Sequence, residues 1–362
     1  MECTKGRRQT RGGINKMGRL ITIITICAAS FIINSCSQKS VKIRSRKSKF
    51  TDEVKLSYTP VKNQGRSSLC WAYAMLATIE TEHIMRGDSV NLSPAYVARM
   101  MLKEQVDKCY MSQGRMAMNM RGVMPELVRL IQAYGLMPYE SYHTKNNLSV
   151  TARKLQTAIK AKAIQGKGIK EARRYADDIL DKGINPMPKR VYMYSMEYSP
   201  IEFAHSVCMP EEYLPLTSFT HMPMNKKVMF NLPDNHHEAK FYNVTLNDMM
   251  ATMERSLRTG HPVCWEGDIS EPGFSFASGI ADVPQSQRGA RPEMRQRQFE
   301  TFRTTDDHCM AIIGIAHDKS GRKFFICKNS WGNGNPYGGL MYMSFDYARL
   351  KTIAVMINSI VL

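Results

Sequence analysis

Cys70, His308, Asn329 and Gln64 are the residues of this chain whose types and settings could carry out chemistry together. Cys70 lies near the end of Pro60-Val61-Lys62-Asn63-Gln64-Gly65-Arg66-Ser67-Ser68-Leu69-Cys70-Trp71, while Asp307-His308 and Lys328-Asn329-Ser330-Trp331-Gly332 lie near the C-terminus. A thiol attacks a carbonyl as the thiolate, so it needs a base. The base needs an orienting partner, and the developing oxyanion needs hydrogen-bond donors already in place. Cys70, His308, Asn329 and Gln64 can fill those roles in that order. Asn329 carries no charge, but its amide oxygen can take a ring N–H and so set the His308 tautomer. A cysteine at a helix N-terminus beside an imidazolium has a lowered pKa, which makes a thiolate–imidazolium pair accessible near neutral pH.

The elements around these residues change from helical to strand-like along the chain. From Cys70 to Met85, Trp71, Ala74, Met75, Thr78, Ile79 and Glu82 recur at three- and four-residue spacing without internal Gly or Pro, and Gly87 is the stop. Ser67 or Ser68 is expected to cap this helix. A second helix is expected from Pro94 through Leu102 with Ser93 as N-cap, and a third from Pro125 to Tyr134. Residues 150–182 read as helical and basic, and Pro200–Phe203 and Leu246–Thr259 suggest further helices. After Gly260 the runs become short and apolar. Strands are expected at 262–265, 309–316, 323–328, 340–345 and 353–357, with 317–322 as a hairpin connection. The Gln- and Arg-rich stretch 284–303 reads as an exposed loop. A helical part carrying Cys70 would then face a β part carrying His308 and Asn329 across a cleft.

At 362 residues, 43% hydrophobic and 23% charged, the chain can bury a large core, which excludes global disorder. Its formal charge is +18, but the first fifty residues hold twelve Lys and Arg against one acid, leaving 38 − 31 = +7 for positions 51–362. The basic character is mainly N-terminal, so nucleic acid is not the expected partner. Lys16, Met17, Gly18 and Arg19 precede an apolar run from Leu20 to Ile33, and Met17 is a better-placed start than Met1. Fourteen residues at helical rise reach about 21 Å, short of a roughly 30 Å hydrocarbon core, so a secretory signal is expected over 1–35. Ser35-Cys36 resembles a bacterial lipoprotein processing site with Cys36 as the lipidated residue, and 36–50 reads as a basic tether. The implied setting is the bacterial cell envelope, with membrane contact through the lipid. Beyond the signal region, Cys70, Cys109, Cys208, Cys264, Cys309 and Cys327 are too scattered for a disulfide scaffold, and no CxxC pair suggests zinc. Cys309 and Cys327 read as small buried hydrophobes.

These blocks resemble the papain superfamily of cysteine peptidases. The resemblance rests on Gln64 six residues before Cys70, Trp71 after it, the Leu92-Ser93 helix start, Asp307-His308, and Asn329-Ser330-Trp331-Gly332. It implies an α+β, two-lobe fold, with Cys70 as nucleophile, His308 as general acid/base, Asn329 as its orienter, Gln64 in the oxyanion hole and Trp331 shielding the Asn–His bond. Trp71 and Asp307 would support the site. Arg121-Gly122 best matches the pair that lines the substrate-backbone groove. The 238 residues from Cys70 to His308 (308 − 70) leave room for a helical insertion, placed at 146–255 between a helical lobe at 51–145 and a β lobe at 256–362. That spacing, with Ser93-Pro94-Ala95-Tyr96 and Gly260-His261-Pro262-Val263-Cys264-Trp265, is similar to the bleomycin hydrolase and aminopeptidase C branch. Members of that branch use a C-terminal arm to hold the substrate amine. Here the sequence stops at Leu362, just after its last strand, so exopeptidase activity does not follow from the resemblance.

Peptide or protein is the expected substrate, with no cofactor and no metal. Two other classes fit parts of the sequence. One is a peptide-binding scaffold with weak turnover, suggested by Arg121 and Ser68-Leu69. The other is a basic surface protein that binds nucleic acid through 150–174 and 288–303.

Overall fold

A computed structural model describes residues 49–362 apart from Tyr194. The signal segment and Cys36 therefore lie outside the described residues.

The helix that starts at Cys70 runs to Met85, as its spacing predicts. It is buried on nearly every side, from Trp71 and Ala72 through Ala74–His83, because it lies between two layers. The helices Pro94–Met111 and Met124–Tyr134 pack on it from one layer, and the strands Val263–Gly267 and His308–Asp318 from the other. Neither Ser67 nor Ser68 caps this helix. Its N-cap is Leu69, which makes no side-chain cap bond, while Ser67 Oγ donates to the Gln64 carbonyl at 2.7 Å. Ser93 does cap the next helix, its Oγ accepting from Tyr96 N–H at 3.0 Å. That helix continues past Leu102 to Met111, since nothing in 103–111 breaks it.

Two expectations for the insertion need correction. The single helical run over 150–182 is three pieces, Leu148–Lys160, Lys162–Gln165 and Ile169–Gly183. Gly168, at φ +90°, makes the last break. After residue 183 the region expected to be helical supplies the strands Tyr213–Thr217, Lys226–Met229 and Lys240–Asn243 to the main sheet. The stretch 284–303 is also not simply a loop, because Pro292–Glu300 is helical with Pro at its start. Arg295, counted among the exposed basic residues, is buried there. Its guanidinium sits 4.4 Å from the Phe219 ring centroid, and its Nε donates to the Ser218 carbonyl at 2.9 Å.

Among the described residues, eleven strands form one sheet. Its centre is His308–Asp318, which pairs antiparallel with Val263–Gly267 on one side and with Lys323–Lys328 on the other. The far end of the central strand also pairs with Phe50–Lys55, a strand with no counterpart in the sequence expectations. Two cores result: one joins the helices to the sheet face bearing Cys264 and Cys309, and the other fills the opposite face around Trp265, Phe325 and Tyr347.

Candidate active site

Sheet register brings the histidine and the asparagine together. Ala311 pairs with Lys328 in the antiparallel ladder, so His308 at the start of one strand and Asn329 just past the end of the other emerge at the same edge. His308 Nε2 lies 2.8 Å from Asn329 Oδ1, and both residues are buried. The Ser330 backbone N–H donates to the same Oδ1 at 2.7 Å, which identifies that atom as the oxygen. His308 must therefore donate from Nε2, leaving Nδ1 free to exchange a proton with a thiol. The Trp331 ring covers His308 with centroids 4.7 Å apart, flanked by Phe274 and Phe276.

The segment before Cys70 is tied to this edge by its backbone. Gln64 N–H donates to the Ser330 carbonyl at 2.8 Å, and Gly332 N–H donates to the Lys62 carbonyl at 3.1 Å. The Gln64 amide is held as well: its Oε1 accepts from Ser330 Oγ at 2.5 Å and its Nε2 donates to the Ser67 carbonyl at 2.7 Å. An amide nitrogen carries two hydrogens, so one remains for an oxyanion. Below this crossing, Glu80 is wholly buried and accepts from Lys62 Nζ at 2.6 Å and Leu92 N–H at 2.7 Å. Thr59 Oγ1 also donates to it, and Lys328 Nζ donates to Thr59 at 2.6 Å. Burial works against the Glu80 carboxylate, but the Lys62 and Lys328 charges outweigh it and hold its pKa below the ordinary value. Burial pulls Lys328 itself down to about 8. This network anchors the residue just before Asn329 to the middle of the Cys70 helix.

Cys70 is the first residue of its helix, where the N–H groups of the opening turn have no intrahelical acceptors and favour an anion. Its thiol is held well below the ordinary thiol range. The Cys309 thiol donates to the sulfur as the largest contribution, and His308 adds a hydrogen bond and its charge, together overcoming burial. Cys309 is pushed well above that range, first by burial and then by the same hydrogen bond, so it stays a donor. All six described cysteines are free thiols. Cys309 read from sequence as a core residue. It is buried, but its thiol has this second task, and a Cys in an apolar strand carries no signal for it.

Cys70 and His308 open onto one cavity of about 220 Å³, which Gln64, Trp71, Asp307 and Trp331 also line. Arg121 and Gly122 form part of its wall. Gly122 is required for space: a Cβ there would stand 2.9 Å from the Trp71 ring, whose Nε1 donates to the Met120 carbonyl at 2.9 Å. Arg121 is exposed and is paired with the buried Asp234, its Nε lying 2.8 Å from both carboxylate oxygens. Asp234 and Asp306 line the cavity too, with Glu266 behind them. Sequence reasoning missed all three acids. Glu266 had a signal, being the one acid in the apolar run 263–266.

Away from the cavity, Glu104, Glu126 and His237 come close enough to hold a cation, but Arg129 already occupies both carboxylates at 2.6 to 2.9 Å. Some members of the basic clusters have partners or are buried. Arg173 pairs with Asp107, Arg174 pairs with Glu171, and Arg295 is buried.

The backbone is similar to that of PepW from Lactobacillus rhamnosis HN001, with a TM-score of 0.64 and 16% identity over 86% of this chain and 82% of that one. Looser matches are Xylellain, a cysteine protease from Xylella fastidiosa (TM-score 0.46, 15% identity, 85% and 86% coverage), and the bromelain protease from Ananas comosus (0.39, 14%, 83% and 94%). No family model and no curated protein matches the sequence. At such identity the likeness is one of fold, and the fold is the papain-like α+β arrangement.

Proposed function

We propose that this protein is a cysteine peptidase that hydrolyses peptide bonds through an acyl-enzyme on Cys70. The observation that carries this reading is the convergence, on one cavity, of a thiol with a lowered pKa and a histidine whose Nε2 is fixed by Asn329. The Cys70 thiolate attacks the peptide carbonyl, and the oxyanion is met by the Cys70 backbone N–H and the free Gln64 Nε2 hydrogen. The imidazolium of His308 passes its Nδ1 proton to the leaving amine as the C–N bond breaks. Water then gives a proton back to His308 while its oxygen attacks the thioester, and the acid leaves as the thiolate re-forms. Asn329 holds the ring through both proton transfers. Trp331 keeps water from competing for the Asn329–His308 bond.

Support for peptide substrates comes from the open cavity between the helical and β parts and from the fold shared with PepW. The branch resemblance motivates one arm of the test, and residues 16–36, outside the described residues, motivate the proposed lipid-anchored setting at the bacterial envelope. Digestion of a peptide library with free and acetylated amino termini, native protein against Cys70→Ala, tests the reading. Internal cleavage of acetylated peptides marks an endopeptidase, and a strict need for a free amine marks an aminopeptidase. Equal cleavage by Cys70→Ala sinks the proposal.

A further inference from the structure

The cavity beside Cys70 holds more negative charge than the chemistry proposed above needs. Glu266 pairs directly with Cys309 across the sheet, so it lies on the face that looks toward Cys70. It is wholly buried, and neither of its carboxylate oxygens has a hydrogen-bond partner. Its electrostatic neighbours are Asp306, Cys70 and Asp234, all of which line the cavity. Asp306 Oδ2 is likewise buried without a partner. With both groups ionised, neither has a donor; only if one takes a proton can they share a hydrogen bond. Burial pushes Glu266 well above the carboxylate range, with Asp306 adding to it, and raises Asp306 to about 6.

The charges around the cavity do not cancel. Arg121 is taken by Asp234 in a two-pronged pair, and His308 is engaged with Cys70. No lysine lines the cavity, and Asp307 adds a further acid at its rim. Even with one shared proton, Glu266 and Asp306 leave a negative charge whose positive neighbour among the cavity residues, Arg121, is already paired with Asp234. A buried carboxyl pair sharing one proton is costly to hold charged unless something that binds there supplies countercharge.

We propose that the wall formed by Asp306, backed by Glu266, is a recognition subsite for a positively charged group of the substrate next to the scissile bond: a Lys or Arg side chain, or a free α-ammonium. A cation bound against Asp306 adds the positive charge the pair lacks and favours ionisation of both carboxyls, reaching Glu266 through Asp306 and not by direct contact. An acidic residue in the same place meets repulsion from Asp234 and Asp306. This inference deepens the peptidase reading and rests on it for the meaning of the word substrate, though not for the binding itself.

The test has two arms. In the first, kcat/KM is measured for dipeptidyl coumarin amides with Arg or Leu as the first residue, each with a free or an acetylated amine. Substrates bearing a cation are expected to exceed acetyl-Leu by about 10- to 100-fold, the span of one or two charge-assisted hydrogen bonds. Asp306→Asn, alone and combined with Glu266→Gln, is expected to collapse that ratio. Preference for acetyl-Arg over acetyl-Leu assigns the subsite to a side chain, and preference for free over acetylated Leu assigns it to the α-ammonium. In the second arm, argininamide is expected to slow iodoacetamide labelling of Cys70 in the native protein and not in Asp306→Asn. This arm needs no turnover, so a protein that cleaves nothing but shows protection defeats the peptidase reading and keeps the subsite. Cleavage without preference, or a preference that survives Asp306→Asn, together with no protection, overturns the subsite and keeps the peptidase.

Discussion

Replacing Cys309 with alanine is expected to raise the pH at which Cys70 becomes reactive. The neighbouring thiol makes the largest favourable contribution to the Cys70 thiolate, ahead of His308, and being buried it stays protonated as a donor. A hydrogen bond to a charged group contributes about 1.5–3 kcal/mol. At about 1.36 kcal/mol per pKa unit, its loss moves the midpoint upward by about 1 to 2 pH units. Alanine removes the donor but keeps the backbone N–H of residue 309, which also points at the sulfur, and leaves His308 and the helix N-terminus in place. The shift is therefore expected at the low end of that range. The assay is the rate of iodoacetamide incorporation into the Cys70 peptide between pH 4 and 10, read by mass spectrometry so that labelling of the other cysteines does not interfere. A midpoint that stays where it is in the native protein, with folding intact, would refute the claim that Cys309 stabilises the thiolate.

Three further outcomes are expected. Asn329→Ala removes the 2.8 Å bond that fixes the His308 tautomer, so kcat should fall by about 10- to 100-fold with a smaller change in KM, read on any cleaved peptide. Glu80→Gln leaves Lys328 buried without its countercharge and should lower stability by about 3–5 kcal/mol in urea denaturation at pH 7; a loss within experimental error contradicts the anchoring role. The pKa of Glu80 is lowered on folding, so its contribution is fully present above its ordinary value of 4.5 and is lost as pH falls through the folded value. The stability gap between native protein and Glu80→Gln should accordingly narrow on acidification below pH 4.5.

Much of the site was legible because its parts are tied to local signals. Cys70 stands at the start of an uninterrupted helical period, and His308 and Asn329 bound two apolar runs joined by a turn-rich link, so strand pairing alone brings them together. Ser93-Pro94 announced a capped helix for the same local reason. What was not legible depends on contacts between distant segments. The strands Phe50–Lys55 and Tyr213–Thr217 are stabilised by partners far along the chain, and Pro215 in the second argues locally against a strand. Arg295 looked like a solvated charge because its burial is decided by Phe219 and Ser218, 76 and 77 positions away. Asp234 belongs to the cavity only because the insertion returns to meet Arg121. Cys309 and Glu266 lie on neighbouring strands, and their shared direction toward Cys70 is a property of register that no single run reveals.

The central claim, that peptide bonds are cut through a thioester on Cys70, is tested most directly by trapping that thioester. The protein is mixed with a peptidyl p-nitrophenyl ester, quenched in acid within the first turnover, and digested for mass spectrometry. The expected result is a mass increase equal to the acyl group on the Cys70 peptide, absent in Cys70→Ala and longer-lived in His308→Ala if it forms there. An acyl group found on another residue, or steady turnover by Cys70→Ala with no adduct in the native protein, would contradict the account.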